Sequence, residues 1–315
     1  LHSTTDGKNN GFGYVPGLDM FNPQYDADIT LTGDPYHIKL KQTGLYAQNQ
    51  FKWDNWLLNA GVRHDKAKSS GYIGKVDQSY DVNHTSYNAG LMYQFDIGLS
   101  PYVNYSESFR PISGGDAKNN AYKPYEGRQL EAGLKYSPVN VDGRFSIAYF
   151  DLQEKNALVS DASNVQVQAG ERRGRGVELQ ADVNLNDNWS LAGAYTYTDS
   201  KQDLSTDTTI RSPMMPRHMA STQVAYKFNT GALNGLKLGT SLRYVGSTTD
   251  DQYYAGHTIP SYTLWDAMAQ YTFAKDWQVQ LNARNLTDKD YVSACSFYCY
   301  YGAGRSVEAS LSYKW

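Results

Sequence analysis

The sequence predicts an all-β fold, a transmembrane antiparallel β-barrel, on three observations. Segments of roughly ten residues alternate apolar and polar side chains, the connections between them alternate in length, and aromatic residues are abundant without any long apolar run. The clearest segment is 304–315, GRSVEASLSYKW. Val307, Ala309, Leu311, Tyr313 and Trp315 share one parity, and Ser306, Glu308, Ser310, Ser312 and Lys314 share the other. Side chains alternate faces in a strand, so this segment has a dry face and a wet one. One such strand would suit a soluble protein equally well. Segment 277–286 repeats the device, with Val279, Leu281 and Ala283 alternating with Gln278, Gln280, Asn282 and Arg284. In 262–272, Thr263, Trp265, Ala267, Ala269 and Tyr271 do the same around Asp266 and Gln270. Strand after strand with a polar face must enclose water, as a barrel with lipid outside and a wet lumen does.

Composition sets the bounds. Of 315 residues only 40% are hydrophobic, yet 27 are tyrosine and six are tryptophan. Amphipathic rings suit membrane–water interfaces. A soluble β-rich binding module is the competing reading of so many tyrosines. A net charge of -3 argues against a nucleic-acid partner. No apolar run reaches the ~18 residues of a membrane helix. The opening LHSTTDGKNN has neither the basic nor the apolar region of a signal peptide, so an exported chain starting here would be mature or truncated. Cys295 and Cys299 share one loop. A tight loop disulfide suits an oxidising compartment, and a CxxxC metal site lacks the further ligands that zinc needs.

Residues 1–41, rich in Gly, Asn, Asp and Pro, read as a long external loop region, and 42–315 as barrel. Strands are expected near 43–51, 56–63, 85–95, 101–108 and 128–136. The next set is 144–152, 174–183, 189–198, 219–228 and 236–245, followed by 262–272, 277–286 and 305–315. That makes about 13 strands.

Between them, 53–55, 96–98, 137–143, 184–188, 229–235 and 274–276 are short turns of Asp, Asn, Gly and Pro. Long polar loops occupy 64–84, 109–127, 153–173, 199–218, 246–261 and 287–304. Outer-membrane barrels sort their connections in this way, short on the periplasmic side and long outside, whereas a soluble sandwich has no reason to. An odd number of strands ending on the periplasmic side also starts outside, which implies that an N-terminal part of the barrel is missing.

No catalytic constellation is present, and no enzyme is expected. His2, His37, His64, His84, His218 and His257 are scattered, with neither an HExxH nor a ligand spacing. The glycines of GRGVE (174–178) read as a strand start. Asn285-Leu286-Thr287 forms a glycosylation sequon of the kind expected by chance. Glu131, Lys135, Glu178, Asp182, Arg243, Asp266, Arg284 and Glu308 fall on the polar parity, where solvation and mutual pairing of a lumen wall explain them.

KQTGLYAQNQFKWDNWLLNAGVRHD (41–65) resembles a barrel hairpin of TonB-dependent outer-membrane receptors. So do YSESFRP (105–111), KPYEGRQLEAGLKYSP (123–138), GERRGRGVELQAD (170–182) and PRHMASTQVAYKF (216–228). The terminal NARNLTDKDYVSAC…YYGAGRSVEASLSYKW is similar to that family's C-terminal signature. The resemblance covers nearly everything from residue 41 and is closest to ferrichrome-type, hydroxamate-siderophore receptors, whose last external loop also carries a cysteine pair among aromatics, as in CSFYCYYGAG here.

The resemblance implies the last 13 or so strands of a plugged barrel of about 22. It implies transport of ferric hydroxamate siderophores across the bacterial outer membrane, energised by TonB, with no cofactor because iron arrives already chelated. Measured against that family pattern, the plug, its energy-coupling box and about nine strands are expected to be absent from these 315 residues. Ligand contact is expected from Phe297, Tyr298, Tyr300 and Tyr301 beside a Cys295–Cys299 disulfide, with Tyr36, Tyr253 and Tyr254 on neighbouring rims. Trp315 would belong to the signal read by the barrel-assembly machinery, and lipid or lipopolysaccharide would surround the wall. A porin-like channel or adhesin barrel is the rival within membranes.

Overall fold

The computed structural model describes residues 2–9, 35–74, 76–77, 79–112, 122–160, 166–250, 257–274, 276–295 and 298–315. One sheet dominates them. Apart from two short strands that pair off the main path, Val76–Asp77 and Thr208–Arg211, its strands are β1 (His2–Asn9), β2 (Tyr36–Trp53), β3 (Trp56–Ile73), β4 (Tyr80–Tyr93) and β5 (Leu99–Arg110). They continue with β6 (Tyr125–Tyr136), β7 (Asp142–Ser160), β8 (Gln166–Asn184), β9 (Trp189–Ser205) and β10 (His218–Lys227). The last four are β11 (Leu236–Val245), β12 (Tyr262–Phe273), β13 (Trp277–Arg284) and β14 (Ser306–Tyr313). Each pairs antiparallel with the next in an unbroken meander, which satisfies backbone groups as hydrocarbon demands. Among the described residues β1 and β14 do not pair with each other, so the sheet is open.

The register brings one parity of every strand to one face. Ala309 faces Leu281, then Ala269, Leu238, Tyr226 and Trp189. Leu134, Ile147, Leu179 and Tyr195 form a second such row, and Leu58, Leu91, Val103 and Ala132 a third. These side chains are not packed into a core: Leu281 is 47% exposed and Leu311 62%. A soluble sandwich would bury this face against a second sheet, whereas a membrane barrel turns such an exposed apolar face outward. An apolar trough of about 840 Å³ between Leu134, Ile147, Leu179 and Tyr195 lies on the same side.

The short-turn end of that face carries an aromatic girdle. Trp56 meets Tyr93 at 4.7 Å between ring centroids, and Trp189 meets Tyr226 at 4.8 Å. Phe273 stacks on Trp277, and Trp277 meets Tyr313 at 4.9 Å. The turns beneath are tight. Asp54, with φ 55°, makes a two-residue hairpin between paired Trp53 and Trp56. Asn186 accepts from the backbone N–H of both Asn188 and Trp189, each at 2.9 Å.

Three expectations need correction. The stretch 1–41, read as loop, contains β1, and β2 begins at Tyr36 rather than near residue 43. With β1 the meander has 14 strands among the described residues, so the odd count loses its premise and the first described strand runs toward the long-loop end. Several expected loops are ladder: β2 and β3 have 18 residues each and β7 and β8 have 19. A tilted strand needs only about 9–11 residues to cross a bilayer. The remainder lies beyond that span, where neither face must be apolar and the period-two signal fades although backbone pairing continues; Asp65, Ala67 and Ser69 of β3 are buried there all the same. Gly174 and Gly176 consequently lie inside β8, and a Cβ on Gly176 would sit 2.6 Å from the ring of Phe150.

Candidate functional site at the external mouth

The polar parity lines the inner side of the wall. Arg243 on β11 donates to Asp266 on β12 through Nε (2.7 Å) and Nη2 (3.1 Å), a bidentate pair. Tyr102 donates to Glu131 at 2.7 Å, and Arg284 approaches Glu308 at 3.9 Å. These are among the charged residues whose alternation marked them as lumen wall.

Above this wall the connection from β13 to β14 is built in storeys. At its foot Asn285, with φ 51°, donates from its side-chain amide to the carbonyls of Lys289 (3.0 Å) and Ala303 (3.2 Å). Asp288 accepts from the Arg305 N–H at 2.7 Å. One storey up, Gly302 N–H donates to Tyr291 O at 2.8 Å, and the Tyr291 ring lies 4.3 Å from that of Tyr262. At the top Val292–Cys295 pairs with Cys299–Tyr301 as a small hairpin, closed by the expected Cys295–Cys299 disulfide. Cys295 is buried, whereas Tyr298, Tyr300 and Tyr301 are exposed, Tyr301 at 76%. The structure thus brings three of the expected tyrosines together on one small hairpin. Phe297 lies outside the described residues.

The neighbouring rim is joined by other bonds. Arg211 reaches across to the Ser247 carbonyl at 3.1 Å as well as to Met215 O at 2.7 Å. Burial, reinforced by nearby Arg217, holds the Arg211 guanidinium below its ordinary pKa against the opposing pull of Asp199. Asp250 N–H donates to His257 O at 3.1 Å, closing the base of the segment that holds Tyr253 and Tyr254. Those two tyrosines lie outside the described residues. Tyr36 begins β2, at the other end of the strand order from β13 and β14, and no described contact joins it to the hairpin. Trp315 is fully exposed beyond the end of β14; Tyr313, not Trp315, occupies the girdle. No cluster of His, Cys, Asp or Glu among the described residues could hold a metal ion.

Sequence reasoning missed Asn285, Tyr291 and Gly302. Their signal was the run NLTDKDY and the glycine of YYGAG, both quoted for resemblance without a structural role.

A one-layer sheet with a lipid-facing side, a polar inner side and long external hairpins is the architecture of the family whose profile, described as "TonB dependent receptor-like, beta-barrel", matches residues 2–286. The chain belongs to the TonB-dependent receptors. It is 40% identical to the ferrioxamine B receptor of Salmonella typhimurium over 96% of its own length and 45% of the relative. It is 36% identical to the ferrichrome outer membrane transporter/phage receptor of Escherichia coli K12, over 97% of its length and 44% of the relative. This TonB-dependent receptor chain therefore spans less than half the length of those curated relatives. Among solved structures, the pyoverdine outer membrane receptor FpvA of Pseudomonas aeruginosa superposes with a TM-score of 0.80 at 22% identity, covering 100% of this chain and 49% of that one. Its location is the bacterial outer membrane, and its relatives are transport receptors.

Proposed function

We propose that this chain forms wall and external mouth of an outer-membrane receptor for ferric hydroxamate siderophores, ferrichrome- or ferrioxamine-like, energised through TonB. The observation that carries the reading is identity of 36–40% with the ferrichrome and ferrioxamine B receptors along almost the entire chain. On this reading the sheet is the C-terminal part of a barrel of about 22 strands around a plug. No chemistry is performed on the ligand. Iron enters inside its organic chelator, so the protein needs neither a cofactor nor metal ligands. Exposed tyrosines on a disulfide-closed hairpin suit that task, since rigid aromatic surface loses little rotamer entropy and phenols can donate to hydroxamate oxygens.

Two further partners belong to the same reading. Lys41, Lys66 and Lys68 are exposed on the outward parity above the apolar band, and Lys39 stands beside them. Asp81, whose carboxyl is held below the usual range by its hydrogen bond to Lys68, answers only part of this charge. Such a patch suits lipopolysaccharide phosphates. The exposed terminal Trp315 suits recognition by the barrel-assembly machinery.

The test is a fluorescence-quenching titration of the intact receptor with ferric ferrichrome and ferric ferrioxamine B. Alanine is placed singly at Phe297, Tyr298, Tyr300, Tyr301, Tyr36, Tyr253 and Tyr254. Saturable quenching, weakened about fivefold or more by at least one hairpin variant, is expected. Absence of saturable quenching by either ligand would leave a general channel as the better account.

A further inference from the structure

The foot of the hairpin connection is more elaborate than a loop requires. Asn285 is 2% exposed, and its side-chain amide is fully engaged. It donates to Lys289 O at 3.0 Å and to Ala303 O at 3.2 Å, and it accepts from Lys289 N–H at 2.9 Å. One side chain therefore binds the outgoing and the returning strands of the connection together. Its own N–H donates to Asp266 Oδ1 at 2.9 Å, the oxygen that also receives Arg243 Nη2. Asp288 supplies a second crosslink by accepting the Arg305 N–H and adds an ionic approach of 3.9 Å to the same arginine.

We propose that Asn285 is a positioning residue for the ligand-contacting hairpin, anchoring both feet of segment 286–304 to the lumen wall through Asp266 and Arg243. The proposal rests on the reading of that hairpin as ligand surface. Three features of the site point this way. Asparagine tolerates the left-handed backbone that the turn requires, where a β-branched residue would be strained. Its amide supplies donors and an acceptor together, as bridging two strands demands, whereas a carboxylate could only accept. Asp266 is held by a guanidinium from the adjacent strand, so its acceptor is fixed by the wall itself and not by the loop. The chain of bonds runs wall, foot, Tyr291–Gly302 storey, hairpin. The pose of Tyr298, Tyr300 and Tyr301 is thereby set from below, by a buried asparagine that need never touch the ligand.

The test uses the intact receptor and the variant Asn285→Gly, which keeps the backbone conformation and removes only the side-chain bonds. Amide exchange across 286–304 should rise while exchange in β13 and the amount of assembled receptor stay unchanged. Ferric-siderophore affinity should fall about tenfold. In a Tyr300→Ala/Tyr301→Ala background the same change should cost little more, because Asn285 acts through those rings. Asp266→Asn, which can still accept the Asn285 N–H but loses the arginine pair, should show a smaller effect of the same kind and serves if Asn285→Gly fails to assemble. Unchanged affinity in Asn285→Gly, alongside weakened hairpin alanine variants, overturns the proposal and leaves the ligand reading standing. If the alanine variants bind normally, the ligand reading fails instead; faster exchange in 286–304 then supports an anchoring role alone, and unchanged exchange removes that too.

Discussion

The ring of Tyr291 occupies the space that a side chain on Gly302 would need. A Cβ on Gly302 would lie 1.9 Å from Tyr291 Cζ, and the same ring lies 4.3 Å from that of Tyr262. Glycine is required here for close approach and not for an unusual φ. Gly302→Ala should push Tyr291 off Tyr262 and loosen the connection, with a loss of about 1–3 kcal/mol in local stability. Amide exchange in 286–304 reads this directly. In a Tyr291→Ala background the same substitution should be nearly neutral, since the obstructing ring is gone. A full-sized loss there would show that the contact does not carry the effect.

The two faces of the wall can be separated by adjacent residues. Leu281 lies between Ala269 and Ala309 on the apolar face, and Asn282 between Met268 and Glu308 on the other. Leu281→Arg places a charge in hydrocarbon and should destabilise by about 2–4 kcal/mol near the bilayer midplane. Asn282→Arg enters a wet, partly acidic lumen and should cost far less. Thermal unfolding of both variants in the intact receptor compares them. Equal losses, or the reverse order, would mean that the face assignment is wrong for β13.

These faces were legible in the sequence because lipid on one side and water on the other force a period of two. The tight turns were legible too, since Asp54-Asn55 and Asn186 speak through local backbone chemistry. What sequence could not reveal lies where that contrast ends. Ser69, buried, and Ser70, exposed, extend β3 with nothing in their hydropathy to announce a strand. β1, HSTTDGKN, is polar throughout and is a strand only because β2 offers a partner. At the mouth, the cysteine pair and its tyrosines were visible as composition. Asn285 was not, because its role depends on Lys289 and Ala303 meeting in space across a connection of 14 residues or so.

The end of the chain separates an assembly role from a packing one. Trp315 makes no described ring contact, while Lys314 N–H donates to Asp276 O at 2.9 Å and Tyr313 holds the girdle position against Trp277. Deleting Trp315 should therefore leave thermal stability of the folded receptor unchanged. The amount reaching the outer membrane should fall severalfold if the terminal aromatic is read during assembly. Quantifying heat-modifiable receptor in outer-membrane fractions tests this. Undiminished assembly would leave Trp315 as an exposed residue with no such role.

The edges of the sheet make the last prediction. β1 and β14 each have one neighbour among the described residues, so the far side of each presents unpaired backbone N–H and C=O groups. Such groups cost several kcal/mol apiece in hydrocarbon, and open edges recruit further strands. Expressed as these 315 residues and extracted in detergent, the chain should therefore associate edge to edge into dimers or larger species. Substituting proline at Val307 and Leu311 should not prevent association through β1, whereas blocking both edges should. Sedimentation in detergent distinguishes the outcomes. A monodisperse monomer with every β14 amide protected from exchange would require β1 and β14 to pair, and the open sheet would then be the wrong description.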